Sequence, residues 1–502
     1  KRKLPAPSSW SYDPRLAFDA SYEPVAAEGV VVITSMVDDS ITAYDAASGS
    51  ILWKFYTEGP VRCAACLWRG RVYAVSDDGF LYCLDLKTGR LLWKRNYLPP
   101  AVEERLVLGD GRYISLRPAR GGPVIYNGVL YYARGLFPFE RVSVFAVDPE
   151  EGKLLWANHE GGFIRKGLLD HSTRRDTGIS PLGYLAVLGN KLVVPSGRAM
   201  PARFDLRTGR MDPYDSKWGG REGLQKGCWF IAGNGRYFSI GGDVYEQNKW
   251  RRIDTDPANQ KELGAFRRFI FTEGAAFFSL PSNVQKGYRP VLSGYKEIIG
   301  WNLEASPTLK AVKHKSGRLL PKAEFPILFR APAENIQIFI KAGDFLCGGR
   351  KGLVRLLRIQ KNPPGLNPAW EAPIEGTPTS MIASAGRLFV TTKEGFFFCF
   401  SKGKGAQLSY ALKSKGLSIP SQISEKVKRM IFLGGVTRGR ALVAGKQAEL
   451  WAYAIATFSH LHITVAEDSE KEVNALRLRL AATGLYGNRT VSYTHLTLPT
   501  KA

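Results

Sequence analysis

Cysteine is scarce in this chain, and long apolar stretches are missing. Its 502 residues include six cysteines, too few for a disulfide scaffold. Cys63 and Cys66 have the CxxC spacing of a metal site, but no second pair completes it, so we expect them to pack in the core. No apolar run approaches the roughly 18 residues that a membrane-spanning helix needs. The sequence therefore predicts no transmembrane segment, and the cysteines leave the compartment open.

Several catalytic motifs and all long runs of like charge are also missing. The sequence contains no P-loop, no HExxH motif and no Ser-His-Asp grouping. Lys and Arg total 70 against 45 Asp and Glu, a formal net charge of +25, yet no five basic residues stand in a row. Dispersed basic residues favour a basic, solvated surface, with weak binding of nucleic acid or another polyanion as the alternative.

A short phrase that occurs three times is the most informative feature present. Its copies span residues 44–53, 84–93 and 147–156, and the first two are 40 residues apart. A period near 40 with several short apolar runs per unit is typical of β-propeller blades. In each copy an aspartate and a glycine bracket a turn, and a tryptophan follows that we expect to pack between blades. These repeat residues are Asp45, Gly49, Trp53, Asp85, Gly89, Trp93, Asp148, Gly152 and Trp156.

Later units keep the outline of the repeat, and the fourth lacks the tryptophan. Counting them predicts an all-β propeller of about eight four-stranded blades, with seven as the alternative. Residues 98–122 and 165–180 exceed the repeat and are predicted to be insertion loops on one face. Because insertions on one face often build a binding surface, we expect an unknown protein or polysaccharide ligand there.

The repeat closely resembles the pyrroloquinoline-quinone-like (PQQ-like) propeller repeat of quinoprotein dehydrogenases and of the scaffold lipoprotein of outer-membrane assembly machinery. The nearer resemblance is to large planctomycete-type propeller proteins, in which a phrase like residues 386–395 closes the propeller. It covers residues 16–405 and implies the periplasm or cell envelope, with the cytoplasm as the alternative. Quinone chemistry in that family requires calcium ligands and an aspartate base, and usually a pair of adjacent cysteines. The chain has no Cys-Cys pair and no such acidic set, so we expect neither PQQ nor a metal.

The pattern changes after Phe400. Residues 406–490 read as helix, strand, helix, strand and helix, with Glu467 and Asp468 ending the second strand. Strand, helix, strand, acid and helix are the opening of a doubly wound, Rossmann-like α/β domain. The sequence therefore predicts a truncated domain of this class after the propeller.

This segment resembles the start of a class I S-adenosylmethionine methyltransferase, through residues 468–473 and 484–487. The resemblance implies that Glu467 accepts hydrogen bonds from the ribose hydroxyls. It also implies that Gly445 belongs to the first glycine loop, reduced here to residues 444–447. S-adenosylmethionine is thus implied as a cofactor of a full-length form, while none is expected for the chain as it stands.

Both ends of the chain read as those of a fragment. Lys1 is not a start residue, so residues 1–15 are expected to be an N-terminal extension, and an upstream signal peptide is left open. Residues 491–502 resemble translated sequencing adapter of the kind found in metagenomic assemblies, and they are left out of the fold prediction.

Two functional hypotheses remain. In the first, the chain is a non-catalytic propeller scaffold or binding module. In the second, the full-length protein is a methyltransferase whose propeller recruits substrate; a PQQ-dependent dehydrogenase is a further alternative. Whether the protein is an enzyme stays open, and no catalytic or metal-binding residue is assigned.

Overall fold

Most of the chain folds into β-strands. The computed structural model describes residues 1–494, except for a set of short gaps. Parts of the predicted C-terminal domain and most of the adapter-like end therefore lie outside the described residues. The gaps are residues 12, 14, 100, 110, 160–161, 171–172, 198, 215–226, 255–266, 283, 286–290, 314–318, 404–408 and 410–415.

Eight sheets, antiparallel except for one short parallel pair in blade 3, follow one another along the chain and form the blades of a propeller. The predicted eight-blade propeller is confirmed, and the alternative of seven blades is wrong. Six of these sheets have four strands, blade 3 gains a fifth strand, and blade 4 shows three within the described residues. The strands of blades 1 to 4 are Val25–Ala27, Val30–Ser35, Ser40–Asp45 and Ile51–Tyr56; Cys66–Trp68, Arg71–Val75, Leu81–Asp85 and Leu91–Arg95; Gly121–Tyr126, Val129–Arg134, Ser143–Val147, Leu154–Asn158 and Gly183–Tyr184; and Ala186–Leu188, Lys191–Ser196 and Ala199–Asp205.

The second half of the propeller continues the same antiparallel pattern. The N-terminal strand Arg2–Lys3 belongs to its last sheet, blade 8. The strands of blades 5 to 8 are Ile231–Gly233, Tyr237–Ile240, Asp243–Glu246 and Arg251–Asp254; Phe269–Phe271, Ala275–Pro281, Tyr295–Asn302 and Ile327–Pro332; Gln337–Ala342, Phe345–Arg350, Leu353–Lys361 and Pro364–Pro373; and Pro378–Ser384, Arg387–Thr392, Phe396–Ser401 and Arg2–Lys3.

Burial explains why the middle strands are continuously apolar. Every residue of Val30–Ser35 is buried, because neighbouring blades cover both faces of the strand. The last strand, Ile51–Tyr56, begins with two exposed side chains before the buried Trp53. The last strand of each blade is therefore outermost, and the first strand lies nearest the propeller axis.

The N-terminus closes the propeller. Arg2 and Lys3 pair antiparallel with Phe397 and Phe396 of blade 8. The backbone N–H of Leu4 then donates a 2.7 Å hydrogen bond to the carbonyl of Gly395. Part of the predicted N-terminal extension is thus a strand of the last blade.

Both predicted insertions are β-hairpins instead of irregular loops. The first pairs Leu106–Gly109 with Arg112–Ser115, and the second pairs Phe163–Asp170 with Thr173–Gly178. In an antiparallel meander, the connections between blades emerge at the same end as the turns between second and third strands. We call this end the connection face. Other insertions that the sequence did not predict are a one-turn 3-10 helix, Pro138–Glu140, and hairpins pairing Val284–Gln285 with Val291–Leu292 and Thr308–Lys313 with Leu319–Glu324.

A parallel sheet with three helices follows the propeller. Helix α1 is Ser421–Gly434, α2 is Ala448–Phe458 and α3 is Glu470–Ala482. Strand Arg438–Ala444 pairs in parallel with His460–Glu467, which in turn pairs with Thr490–Thr494. We call residues 416–494 the C-terminal segment. Its strand–helix–strand order matches the predicted order, while its assignment to a Rossmann-like domain stays a prediction.

The third parallel strand includes residues that the fold prediction left out. Val491 and Tyr493 are buried, 7% and 2% exposed. Thr490 and Ser492, on the opposite face of the strand, are buried as well. Residues 491–494 therefore take part in the fold, whereas the adapter origin of residues 491–502 stays a prediction. Within the described residues, no helix has the length and apolar character needed to cross a membrane.

Candidate functional site

The repeat aspartates hold tight turns between the third and fourth strands. One oxygen of Asp85 accepts hydrogen bonds from the backbone N–H of Lys87 and Thr88 and from the Thr88 hydroxyl, at 2.7 to 3.1 Å. Hydrogen bonds from Thr88, together with the N–H of Lys87, lower the pKa of Asp85. Gly89 completes the turn at a φ of +71°. Asp45 and Gly49, Asp148 and Gly152, and Asp205 and Gly209 form equivalent turns.

Each repeat tryptophan packs on the turn of the next blade. The Trp53 indole N–H donates a 2.9 Å hydrogen bond to the Leu86 carbonyl. A Cβ on Gly89 would lie 2.5 Å from the Trp53 ring, so only glycine fits. The same contacts join Trp93 to Gly152 and the Glu150 carbonyl, and Trp156 to Gly209 and the Leu206 carbonyl.

Residues that precede the innermost strands converge on the propeller axis. Tyr184, before blade 4, accepts a 3.0 Å hydrogen bond from the backbone N–H of Ala64, before blade 2. The Cys63 sulfur lies 3.9 Å from the Gly183 carbonyl oxygen. These contacts join the residues that lead into blade 2 to Gly183–Tyr184, the fifth strand of blade 3.

Two arginines and two aspartates form a buried ion-pair network beside the axis. Arg62 binds Asp19 at 2.5 Å and Asp77 at 2.7 Å, and Arg120 binds both oxygens of Asp77 at 3.0 and 2.8 Å. Burial alone would raise the pKa of Asp77, but Arg120 and Arg62 outweigh it and hold that pKa below its usual range. The two positive and two negative charges of this network balance each other away from water.

The N-terminal residues cover this network. Ser9 donates a 2.6 Å hydrogen bond to Asp19, and the Arg120 guanidinium lies 5.1 Å from the centre of the Trp10 ring. Nearby, burial raises the pKa of Glu23, against the influence of Arg268 and two serine hydroxyls. Burial also raises the pKa of the Cys63 thiol. The thiol is therefore protonated and unreactive at neutral pH.

Exposed aromatic rings mark the connection face near the second insertion hairpin. Phe137 and Phe139 stack with ring centres 5.4 Å apart and are 46% and 62% exposed. Both lie in or beside the short 3-10 helix, which packs against the hairpin. Phe163, in the first strand of that hairpin, is also exposed. Together they form the aromatic patch of this face.

The C-terminal segment docks on the connection face through the first insertion hairpin. Arg112 of that hairpin binds Asp39 of blade 1 at 2.6 Å and donates to the carbonyls of Gly487, at 3.0 Å, and Val37. Tyr113 meets Tyr493 edge to face, with ring centres 5.7 Å apart. The hairpin predicted as a binding loop thus holds a part of its own chain.

A second set of contacts joins helix α3 to blade 1. The Arg477 side chain is fully buried and binds Glu58 at 3.0 Å. Tyr56 and Tyr486 pack edge to face with ring centres 5.8 Å apart. Burial raises the pKa of Asp39 to about 6, although Arg112 and Arg477 pull it down. Buried pairs such as these favour one docking geometry over others.

The two residues implied in cofactor binding lie at one edge of the parallel sheet. Ala444 pairs with Ala466, so Gly445 and Glu467 follow at the carboxyl ends of adjacent strands. A Cβ on Gly445 would meet nothing within 4 Å. Burial raises the pKa of Glu467, and neighbouring carboxylates raise it further; these are Asp468, Glu449 and Glu472. The structure brings the two residues to one edge, and their role stays a prediction.

Sequence reasoning missed the ion pairs of the axis and of the docking contact. The available signal was a pair of adjacent aspartates in the turn between the second and third strands. Asp38 and Asp39 occur in blade 1, and Asp77 and Asp78 at the corresponding turn of blade 2. All four are buried. Acidic pairs between two apolar strands indicate buried partners of opposite charge.

Residues 8–162 match the family of the outer membrane protein assembly factor BamB. The dehydrogenase subunit of a quinone alcohol dehydrogenase from Gluconacetobacter polyoxogenes is 34% identical over 148 residues, which are 26% of this chain and 19% of that protein. BamB from Kangiella koreensis is 26% identical over 220 residues, 37% of this chain and 56% of that protein. The propeller has the PQQ-type repeat. The chain spans about a fifth of the length of the dehydrogenases it matches.

Solved structures with a similar fold come from both groups. BamB from Moraxella catarrhalis has a TM-score of 0.34 and 14% identity, covering 75% of this chain and 83% of that chain. A quinohemoprotein alcohol dehydrogenase from Comamonas testosteroni has a TM-score of 0.44 and 13% identity, covering 86% and 80%.

The described residues do not fit the calcium and quinone that the resemblance to quinoprotein dehydrogenases implies. Calcium needs six to eight oxygen ligands. Over the part of the chain that the structure describes, no three His, Cys, Asp or Glu side chains group to hold a metal. Asp77 binds both Arg62 and Arg120, while Asp19 binds Arg62 and accepts a hydrogen bond from the Ser9 hydroxyl. The repeat tryptophans pack on glycine turns in the outer strands, away from the axis.

Proposed function

We propose that this chain is a non-catalytic PQQ-type propeller that binds a protein or polysaccharide on its connection face. The aromatic patch carries the proposal. Phe137, Phe139 and Phe163 expose their rings together on the face that also bears the insertion hairpins. Exposed aromatic rings fill pockets of protein partners and stack on the apolar faces of sugars, and contiguous apolar patches mark interaction sites.

The axial network supports a scaffold over a redox enzyme. A dehydrogenase of the quinone type needs a free carboxylate as base and others as calcium ligands. Asp19 and Asp77 instead neutralise Arg62 and Arg120. We place the protein in the cell envelope or periplasm, by analogy with the outer membrane assembly factor whose family residues 8–162 match. Weak polyanion binding by the basic surface is part of the proposal.

The proposal is tested first by activity and then by contact. With added PQQ, calcium, primary alcohols and a dye acceptor, the purified chain should reduce no dye above a control without protein. A photo-crosslinking residue at Phe139 should capture a defined partner in extracts of the source organism. The same residue at Tyr126, which is 42% exposed at the opposite end of blade 3, is the matched control. Quinone-dependent turnover, or equal capture at both positions, would contradict the proposal.

A second candidate function belongs to a full-length form of the protein. We propose that Glu467 and Gly445 contribute to an S-adenosylmethionine site there. Their position at adjacent carboxyl ends of a parallel sheet favours it, because open α/β sheets bind ligands at that edge. The carboxylates Glu449, Asp468 and Glu472 nearby suit a cationic sulfonium.

Calorimetric titration with S-adenosylmethionine tests this candidate. Glu467→Ala should weaken binding by about 1 to 3 kcal/mol, the cost of leaving hydroxyl partners unpaired. Glu472→Ala, on helix α3, is the control for removing a nearby charge. Binding that ignores Glu467 would refute the assignment.

A further inference from the structure

A cavity of about 510 Å³ lies where the C-terminal segment meets the connection face. This volume is in the range of pockets that hold small molecules. We call it the junction cavity. Its polar walls come from both parts of the chain, namely Ser8, Arg62 and Arg112 of the propeller and Arg440, His462 and Asn488 of the C-terminal segment.

The charge of the junction cavity is positive. None of the lining residues that the structure describes is acidic. Arg62 and Arg112 are balanced by buried aspartates behind the wall. Arg440 differs, because its guanidinium donates a 2.9 Å hydrogen bond to the carbonyl of Gly111. A carbonyl dipole orients the guanidinium without cancelling its charge.

A second uncancelled charge lies behind His462. Arg489 donates to the backbone carbonyls of Leu461 and Ser459, at 3.0 and 2.8 Å. Within the described residues, neither Arg440 nor Arg489 pairs with a carboxylate. Partial burial lowers the pKa of His462, and the nearby charges of Arg440, Arg489 and Arg112 lower it further. An imidazole surrounded by cations reports the positive potential of the cavity.

We infer that the junction cavity binds the phosphate group of a small molecule, held by Arg440, His462 and Asn488. A guanidinium can donate two parallel hydrogen bonds to a phosphate, and the imidazole and amide N–H groups can reach other oxygens. The charge of Arg440 in the wall, together with that of Arg489 behind it, favours a dianion over a single carboxylate. The site is separate from the proposed cofactor edge, since Arg440 lies five residues before Gly445, about 16 Å along an extended strand.

The probe for this site is inorganic pyrophosphate, with inorganic phosphate and acetate for comparison. Calorimetric titration of the full chain should show binding in the order pyrophosphate, phosphate, acetate. Arg440→Gln and His462→Gln should each weaken pyrophosphate binding at least about fivefold, which corresponds to about 1 kcal/mol. Both side chains are exposed, so both variants should fold. Pyrophosphate should also raise the thermal midpoint of the parent chain, because it binds the folded state.

The matched control is Arg438→Gln. Arg438 is exposed on the same strand, two residues before Arg440, and does not line the junction cavity. The substitution removes the same formal charge as Arg440→Gln. Because Arg438 lies outside the cavity, pyrophosphate affinity should stay within about twofold of the parent. Equal losses in Arg438→Gln and Arg440→Gln would mean unspecific attraction to a basic surface and would overturn the site. So would the absence of measurable pyrophosphate binding by the parent chain.

Discussion

Two adjacent buried aspartates in one turn of this protein have pKa values shifted in opposite directions. Asp77 lies between two arginines and keeps a low pKa. Its neighbour Asp78 pairs with no arginine among the described residues; it accepts hydrogen bonds from the Tyr82 hydroxyl at 2.5 Å and from the backbone N–H groups of Phe80 and Glu58 at 2.9 and 3.0 Å. Burial therefore raises the pKa of Asp78 to about 6. A shift of one position along the chain thus separates a buried carboxylate that is paired with arginine from one that is held only by neutral hydrogen-bond donors.

The raised pKa of Asp78 predicts a particular pH dependence of stability. The folded chain holds this proton up to about pH 6, while the unfolded chain releases it near pH 3.8. Between these values the folded state binds more protons, so this contribution to the free energy of unfolding falls as pH rises. Urea denaturation measures the free energy of unfolding of the parent chain and of Asp78→Asn. The parent value minus the variant value should fall as pH rises from about 4 to about 6.

Asp85→Asn is the control for the sign of this effect. Asp85 has a lowered pKa, so its contribution is lost as pH falls below the ordinary range of aspartate. The parent-minus-variant difference should therefore be complete above about pH 5 and diminish only in acid. A difference for Asp78→Asn that grew with pH would refute the raised pKa.

At the scale of the element, the blade-to-blade contact is a tryptophan seated on a glycine turn. Trp53, Trp93 and Trp156 each cover the turn of the following blade. Two separate features require glycine in that turn: the left-handed φ, and the indole ring, which leaves no room for a Cβ. At Gly70 in blade 2 only the left-handed φ applies, since its φ is +69° and a Cβ would meet nothing within 4 Å.

Comparing Gly89→Ala with Gly70→Ala separates the two reasons. Both substitutions place alanine at a positive φ, which costs about 1 to 2 kcal/mol. Gly89→Ala also drives a methyl group into the Trp53 ring, which adds roughly 1 to 3 kcal/mol of overpacking. Denaturation of both variants should therefore show the larger loss for Gly89→Ala. Equal losses would mean that the tryptophan contact contributes nothing to blade packing.

Elements of this kind could be predicted from the sequence, and the ion pairs could not. The turn from Asp85 to Gly89 and the strand that follows it are encoded within ten consecutive residues. Such a local pattern can therefore be recognised in a single sequence. The bonds from Arg62 to Asp19 and from Arg120 to Asp77 each join residues 43 positions apart. Their partners are fixed only by how blades meet at the axis. The docking of the C-terminal segment depends on tertiary contacts for the same reason.

At the scale of the whole molecule, one short strand joins the two ends of the propeller. Arg2 and Lys3 complete blade 8, and the buried Leu4 follows. Leu4 belongs to a cluster that packs blade 8 on blade 1 and includes Tyr22, Val31, Tyr44, Phe389 and Phe397. Closure therefore rests on both backbone pairing and apolar packing.

Removing residues 1–4 should open this closure. Burying a leucine side chain contributes roughly 1.5 to 3 kcal/mol, and the strand adds its backbone hydrogen bonds. We expect the deletion to lower the free energy of unfolding by about 2 kcal/mol or more, measured by urea denaturation. Deletion of Lys1 alone removes a surface ion pair with Glu375 and a cation–π contact with the Phe396 ring, and should change little. Similar results for the two deletions would contradict the closure.

The strand that closes the propeller can pair only late in translation. Arg2 and Lys3 can pair only after Phe396 and Phe397 have been translated. At roughly 5 to 20 residues per second, ribosomes take on the order of 20 to 80 s to add the intervening chain. Until then the apolar flank of blade 1 has no partner, and contacts of such high order form slowly. The nascent protein therefore leaves this apolar flank uncovered until the strands of blade 8 have been made.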